Sequence, residues 1–122
     1  MSSKPDSPDQ LFREFVRRAN AGDIDGVVAL YAPDAKVYFS PDKATQGHEQ
    51  IRAALEAMLA GGVTLSDTGQ RTSIVVGSLA LTSATLGEAQ FTAEVAERQA
   101  DGSWLWVIDH PSFTSPDYLA AE

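Results

Sequence analysis

Residues 20–35 read NAGDIDGVVALYAPDA, and the order of stops and starts in this stretch decides the fold. Asn20-Ala21-Gly22 ends a helix, because a glycine just past a helix end takes the left-handed backbone without a Cβ clash. Asp23 follows, a side chain suited to accept backbone N–H groups at the start of a second helix. Val27, Val28, Leu30 and Tyr31 are expected to form the buried side of that helix. Pro33-Asp34 is expected to end it, ahead of the β-prone run Lys36-Val37-Tyr38-Phe39.

Upstream, Ser7-Pro8-Asp9-Gln10 is a helix start, with Ser at the cap and Pro in the first turn. Leu11, Phe12, Phe15, Val16 and Ala19 then recur at helical spacing and make one apolar face. Residues 1–7 are polar and broken by proline, so a loose tail is expected there and a single domain over residues 8–122. Downstream, residues 47–60 predict a third helix with Ile51, Leu55, Met58 and Leu59 on its inner stripe, stopped by Gly61-Gly62. From Val63 the pattern turns to β. Strands are expected over residues 72–76, 79–86 and 89–99, with Gly77-Ser78 and Gly87-Glu88 as turns. Asp101-Gly102 is a strong hairpin signal, and it feeds a last strand over residues 104–108. Residues 65–71 read as strand with an irregularity near Gly69. Helices followed by a meander predict an α+β domain: a curved antiparallel sheet with helices on one face.

Composition bounds the chemistry. The chain has 122 residues, enough for one domain with a substantial core. No apolar run approaches the ~20 residues of a membrane-spanning helix. Nothing in Met1-Ser2-Ser3-Lys4-Pro5 resembles an apolar export segment, so a cytoplasmic protein is expected. The absence of cysteine removes disulfides, thiolate metal sites and cysteine nucleophiles. Seventeen acidic against nine basic residues give a net charge of −8, which opposes nucleic-acid backbones and anionic membranes. The two histidines, His48 and His110, are far apart in sequence, so neither a metal site nor a cofactor is expected.

The last strand makes a prediction through its two faces. In a regular strand Trp104, Trp106, Ile108 and His110 share one side, and Leu105, Val107 and Asp109 the other. Both sides are apolar over most of their length, so neither suits full exposure to water. With three short helices to cover one side, the other is expected to meet a second copy of the chain: a homodimer through the face carrying Trp104 and Trp106. The alternative is that Tyr118-Leu119 folds back over the tryptophans.

Few residues suggest chemistry. Asp109 ends an apolar strand and is expected to point toward the enclosed side, where desolvation would raise its pKa and suit it to act as a general base. Glu94 shares a strand face with Thr92, Ala96 and Arg98, over a polar cavity or over solvent, with Arg71 or Arg98 as a possible counter-charge. Tyr31 and Tyr38 supply phenols near the helix-to-strand junction, either as donors to a ligand carbonyl or as ordinary buried tyrosines. His48 reads as an exposed or capping residue.

The stretch 20–35, the Gly47-His48-Glu49-Gln50-Ile51-Arg52 helix opening and the closing ADGSWLWVIDHPS together resemble the SnoaL-like and ketosteroid-isomerase-like proteins of the nuclear-transport-factor-2-like superfamily. The resemblance spans about Leu11 to Ser112. It implies a strongly curved sheet wrapped around a long first helix, a cone whose open end holds an apolar pocket, and often a dimer. Phe15, Phe39, Val107, Leu55 and Met58 are expected to line that pocket around a small apolar molecule, with Asp109, Glu94, Tyr31 and Tyr38 as the catalytic candidates. The steroid-isomerase mechanism does not transfer. Phe15 stands where that family places a phenol donor and Phe39 where it places the base, and phenylalanine can do neither job. Only its protonated donor has a counterpart, near Glu94. Two functions follow as expectations: acid–base chemistry such as isomerisation, cyclisation or hydration of a small apolar ligand, or ligand binding and dimerisation without catalysis.

Overall fold

The computed structural model describes residues 4–40, 43–62, 64–66, 69–85 and 91–110. Helix α1 (Pro8–Asn20) is followed by α2 (Ile24–Val28), β1 (Tyr31–Ser40), β2 (Lys43–Gln46), α3 (Gly47–Leu59), β3 (Ile74–Val76), β4 (Leu79–Thr82), β5 (Ala93–Arg98) and β6 (Trp104–His110). The six strands form one sheet in the order β2-β1-β6-β5-β4-β3. Every pairing is antiparallel except β1 with β6, which run parallel. That parallel pair closes the sheet's two hairpin sections into one layer, and the helices lie over its inner face. None of the described helices is long and apolar enough to cross a membrane.

The opening stretch folds largely as its punctuation predicts. The N–H groups of Ala21 and Gly22 bond back to Arg17 and Ala19, and Gly22 takes φ +74°. Asp23 accepts the Gly26 N–H at 2.9 Å and caps α2. The helix is shorter than expected, however, and Tyr31 opens a strand. Trp106 N–H donates to the Leu30 carbonyl at 2.9 Å, so sheet pairing takes over before a second helical turn can form. Pro33 lies inside β1, not after a helix. It falls between Tyr31 and Lys36, where the register against β6 is interrupted, so its missing N–H leaves no ladder bond unmade.

The core is built from Leu11 of α1, Val27 and Val28 of α2, Ile51 and Leu55 of α3, Val37 of β1 and both tryptophans of β6. Burying apolar side chains of this size stabilises by roughly 1.5–3 kcal/mol each. Residues 4–7 are not a loose tail: Pro5 is buried and its carbonyl accepts the Trp104 N–H at 3.0 Å. Residues 65–71 do not form the expected strand in their described part, where Gln70 makes a single bridge to Ala84. The turn expected at Gly87-Glu88 and the segment around Tyr118-Leu119 lie outside the described residues.

The decisive irregularity is in β6. Val95 pairs with Ile108 and Ala96 with Trp106, so Val107 is an extra residue, a β-bulge. The bulge flips the alternation. Trp104 and Trp106 face inward before it and Asp109 faces inward after it, while Ile108 is 52% exposed. The expected division, with the tryptophans opposite Asp109, assumed a regular strand and is corrected here. Trp104 and Trp106 are buried within a single chain and cannot form an interface with another.

Two glycines test the packing. A Cβ on Gly69 would overlap the Thr85 carbonyl oxygen, whereas one on Gly61 would meet nothing. Gly69→Ala is therefore expected to lower stability by about 1–3 kcal/mol, and Gly61→Ala by no more than about 0.5 kcal/mol. The comparison is read from urea-denaturation midpoints.

Candidate functional site

The strand register assembles the site. Thr82 pairs with Glu94, Glu94 with Asp109 and Asp109 with Val37, so one inward row crosses β4, β5, β6 and β1. The neighbouring row is Ala80, Ala96, Trp106 and Tyr31. Hydrogen bonds stitch the two rows together. Tyr31 Oη–H donates to Asp109 Oδ2 at 2.6 Å. Trp106 Nε1–H donates to Thr82 Oγ1 at 3.0 Å, and Thr82 Oγ1–H donates to Glu94 Oε1 at 2.5 Å. Ala96 lies between Trp106 and Thr82 in the sheet, and its single methyl lets the indole reach across β5. The Tyr31 and Phe15 rings pack on Trp106 at 5.4 and 6.0 Å.

Asp109 and Glu94 are each 6% exposed. Two carboxylates so enclosed cannot both carry charge cheaply. Burial pushes Asp109 up to about 8, the neighbouring Glu94 charge adds to the rise, and the Tyr31 bond opposes it. Burial also raises Glu94, against the Thr82 and Thr92 hydroxyls, which favour its charged form. Tyr31 lies well above its ordinary value through burial and then the Asp109 charge, so it is a donor at neutral pH. Among the described residues, the buried Asp109 Oδ1 has no hydrogen-bond partner. Such atoms are uncommon in folded proteins and call for an explanation.

The expected site residues are therefore divided. Asp109, Glu94 and Tyr31 come together. Tyr38 does not: it lies on the outer face of β1, 38% exposed, its ring stacked on His110 at 6.1 Å. Phe15 is partly buried against Trp106 and Val107 is the bulge residue packed on the core. Leu55 is fully enclosed in the core, whereas Met58 is 40% exposed and leaves the inner stripe expected of it. The side chain of Phe39 is outside the described residues, as are Pro111 and Ser112. Glu94 bonds Thr82 and not Arg71, which stacks over the Phe91 ring. His48 is neither exposed nor a cap: its Nε2 bonds the Tyr31 carbonyl at 2.7 Å and ties α3 to the start of β1. Thr82 and Trp106 were missed as site residues, because the only sequence signal for them is a strand register that the bulge conceals. A cleft of about 480 Å³ opens at the hairpin end of β5 and β6, bordered by Arg18, Ser103 and Leu105; neither carboxyl lines it. Among the described residues, no group of three or more His, Cys, Asp or Glu side chains could hold a metal.

The model of the SnoaL-like domain matches residues 12–115, and the chain belongs to that family. Among solved structures it is similar to a nuclear-transport-factor-2-like protein of unknown function from Pseudomonas putida, at 22% identity and TM-score 0.61 over 83% of this chain and 80% of that one. It is similar to a ketosteroid isomerase-like protein from Erwinia carotovora atroseptica, at 14% identity and TM-score 0.66 over 83% and 88%. It is also similar to ActVI-ORFA from Streptomyces coelicolor, at 16% identity and TM-score 0.65 over 83% and 90%. These likenesses share the fold. No curated protein matches the sequence.

The raised Asp109 makes stability depend on pH. A carboxyl that holds its proton more tightly when folded adds stability fully below its unfolded value near 3.8, and that contribution is lost as pH rises toward about 8. The wild type is expected to weaken between about pH 4 and about 8 relative to Asp109→Asn, whose amide cannot ionise, and the two curves to run parallel above about 9. Denaturation midpoints measured across that range check the sign.

Proposed function

We propose that this SnoaL-like domain binds a small, mostly apolar molecule and moves protons on it, as in isomerisation, cyclisation or hydration, with Asp109 and Glu94 as the acid–base pair and Tyr31 as supporting donor. The observation that carries this reading is the buried, unpartnered Oδ1 of Asp109 beside a second buried carboxyl. A structural role alone would satisfy that atom or replace it with an apolar group at less cost. The chemistry needs no metal. Ketosteroid isomerisation is disfavoured, because phenylalanine occupies two of the three positions that the resemblance assigns to it.

The reading is tested by deuterium exchange. A panel of small enolisable cyclic ketones in D2O, followed by proton NMR, reports abstraction from carbon whatever the natural ligand is. Asp109→Asn and Glu94→Gln are each expected to slow protein-dependent exchange by about 10²–10⁴-fold, and Tyr38→Phe to leave it unchanged. Equal exchange in wild type and both carboxyl variants would sink the assignment and favour a binding module without catalysis.

We also propose a homodimer, relocated from the tryptophans to the true outer face. Ile74, Leu81, Val95 and Ile108 pair in succession across β3, β4, β5 and β6, and Val76 and Leu79 extend the same apolar surface. All but Val95 are at least 47% exposed. A contiguous apolar sheet face of this kind is a docking surface more often than a solvated one. The double variant Leu81→Lys, Ile108→Lys is expected to sediment as a monomer at micromolar concentrations where the wild type sediments as a dimer. A wild type that is monomeric there removes the claim.

A further inference from the structure

We infer that Trp106 and Thr82 form a one-way hydrogen-bond relay that fixes Glu94 as the ionised member of the pair and leaves the shared proton on Asp109 Oδ1, making Glu94 the base and Asp109 the acid. This deepens the acid–base reading above and rests on it for the catalytic roles, though not for the position of the proton.

The direction rests on the two hydrogen bonds that meet at Thr82 Oγ1. An indole N–H can only donate. It occupies one lone pair of Thr82 Oγ1, and the hydroxyl's single hydrogen is directed at Glu94 Oε1. Oε1 is then an acceptor. A second hydroxyl, from Thr92, also favours the charged form of Glu94. Among the described residues, Asp109 receives one donor, the Tyr31 phenol on Oδ2, and its Oδ1 has none. In an enclosed site the charge settles on the carboxyl with more donors, and the proton on the oxygen whose O–H displaces no donor. Asp109 Oδ1 is that oxygen. The titratable groups acting on Asp109 are Tyr31 from β1 and Glu94 from β5. From α3, His48 touches the Tyr31 carbonyl and not the carboxyls.

The step balances within the pair. Glu94 takes a proton from a ligand carbon, the C–H electron pair shifts toward a ligand oxygen, and Asp109 Oδ1–H delivers its proton to that oxygen. The pair keeps one negative charge throughout. Return of the Glu94 proton to a different carbon, and of the oxygen's proton to Asp109, completes an isomerisation. Thr82 and Trp106 are positioning residues in this scheme, acting only through Glu94.

The relay is tested without ligand, by following the carbon-13 side-chain carboxyl resonances of Asp109 and Glu94 against pH, assigned with Asp109→Asn and Glu94→Gln. Glu94 is expected to ionise first and Asp109 last, near pH 8. Thr82→Val is expected to raise the Glu94 midpoint by about one pH unit. Trp106→Phe should raise it by less, and Thr82→Ser should restore it. In the exchange assay, Thr82→Val is expected to move only the acidic limb of the pH profile. Asp109 ionising before Glu94 overturns the assignment. So does a Glu94 midpoint unmoved in both Thr82→Val and Trp106→Phe. If Thr82→Val does not fold, the order of ionisation in the wild type decides alone. The predicted order without any proton exchange on carbon would leave the relay standing and remove only the catalytic reading.

Discussion

One extra residue in β6 governs the interior. Without Val107 as a bulge, Asp109 would sit on the face opposite Trp106, directed to the outer surface beside the exposed apolar residues of the sheet. With it, Asp109 turns inward next to Glu94, and the sheet gains a buried polar row within an otherwise apolar lining. The bulge thereby creates an electrostatic problem that the fold must solve. Two carboxyls in a poorly solvated interior carry two charges only at a cost, so folding and proton uptake are coupled at this point.

The solution uses size as much as charge. Ala80 and Ala96 are the smallest members of the row beside the carboxyls, and they leave room for the largest, Trp106, to lie across the sheet and hold the Thr82 hydroxyl. Tyr31 reaches Asp109 from the opposite side, with its backbone fixed by His48 and its ring packed on the same indole. The Tyr31 phenol and the Trp106 indole are thus positioned by ring contacts. Such a network rigidifies its members when every atom is satisfied, and among the described residues the Tyr31, Thr82 and Trp106 donors are all used while Asp109 Oδ1 has no partner.

Much of the architecture was legible in the sequence because local chemistry dictates it. Gly22, Asp23 and the Asp101-Gly102 turn each act through a neighbour a few residues away, and each sits where its chemistry requires. Asp109 is inward as expected, but not for the expected reason: a regular strand would group it with Leu105 and Val107, whereas the bulge at Val107 places it on the side of Trp104 and Trp106. What sequence concealed were the non-local effects. The phase of β6 was hidden because Trp104 to Ile108 is apolar at every position, so the run carries no alternation to reveal a bulge. The early start of β1 was hidden because it depends on the Leu30 carbonyl meeting Trp106, a residue on a distant strand. Helical periodicity puts Met58 inward and nearness to the helix-to-strand junction recommends Tyr38, but both lie at exposed element faces.

The same distinction bears on what family membership means here. A shared fold supplies a curved sheet and helices to cover it, but the reacting groups are placed by individual registers. In this chain the carboxyls come from β5 and β6, and their phenol from the first residue of β1. Phe15 on α1 packs edge-on against Trp106 and supports the indole. A bulge is a small change for this purpose: one residue inserted in one strand re-aims every side chain beyond it while leaving the helices and the remaining pairings in place.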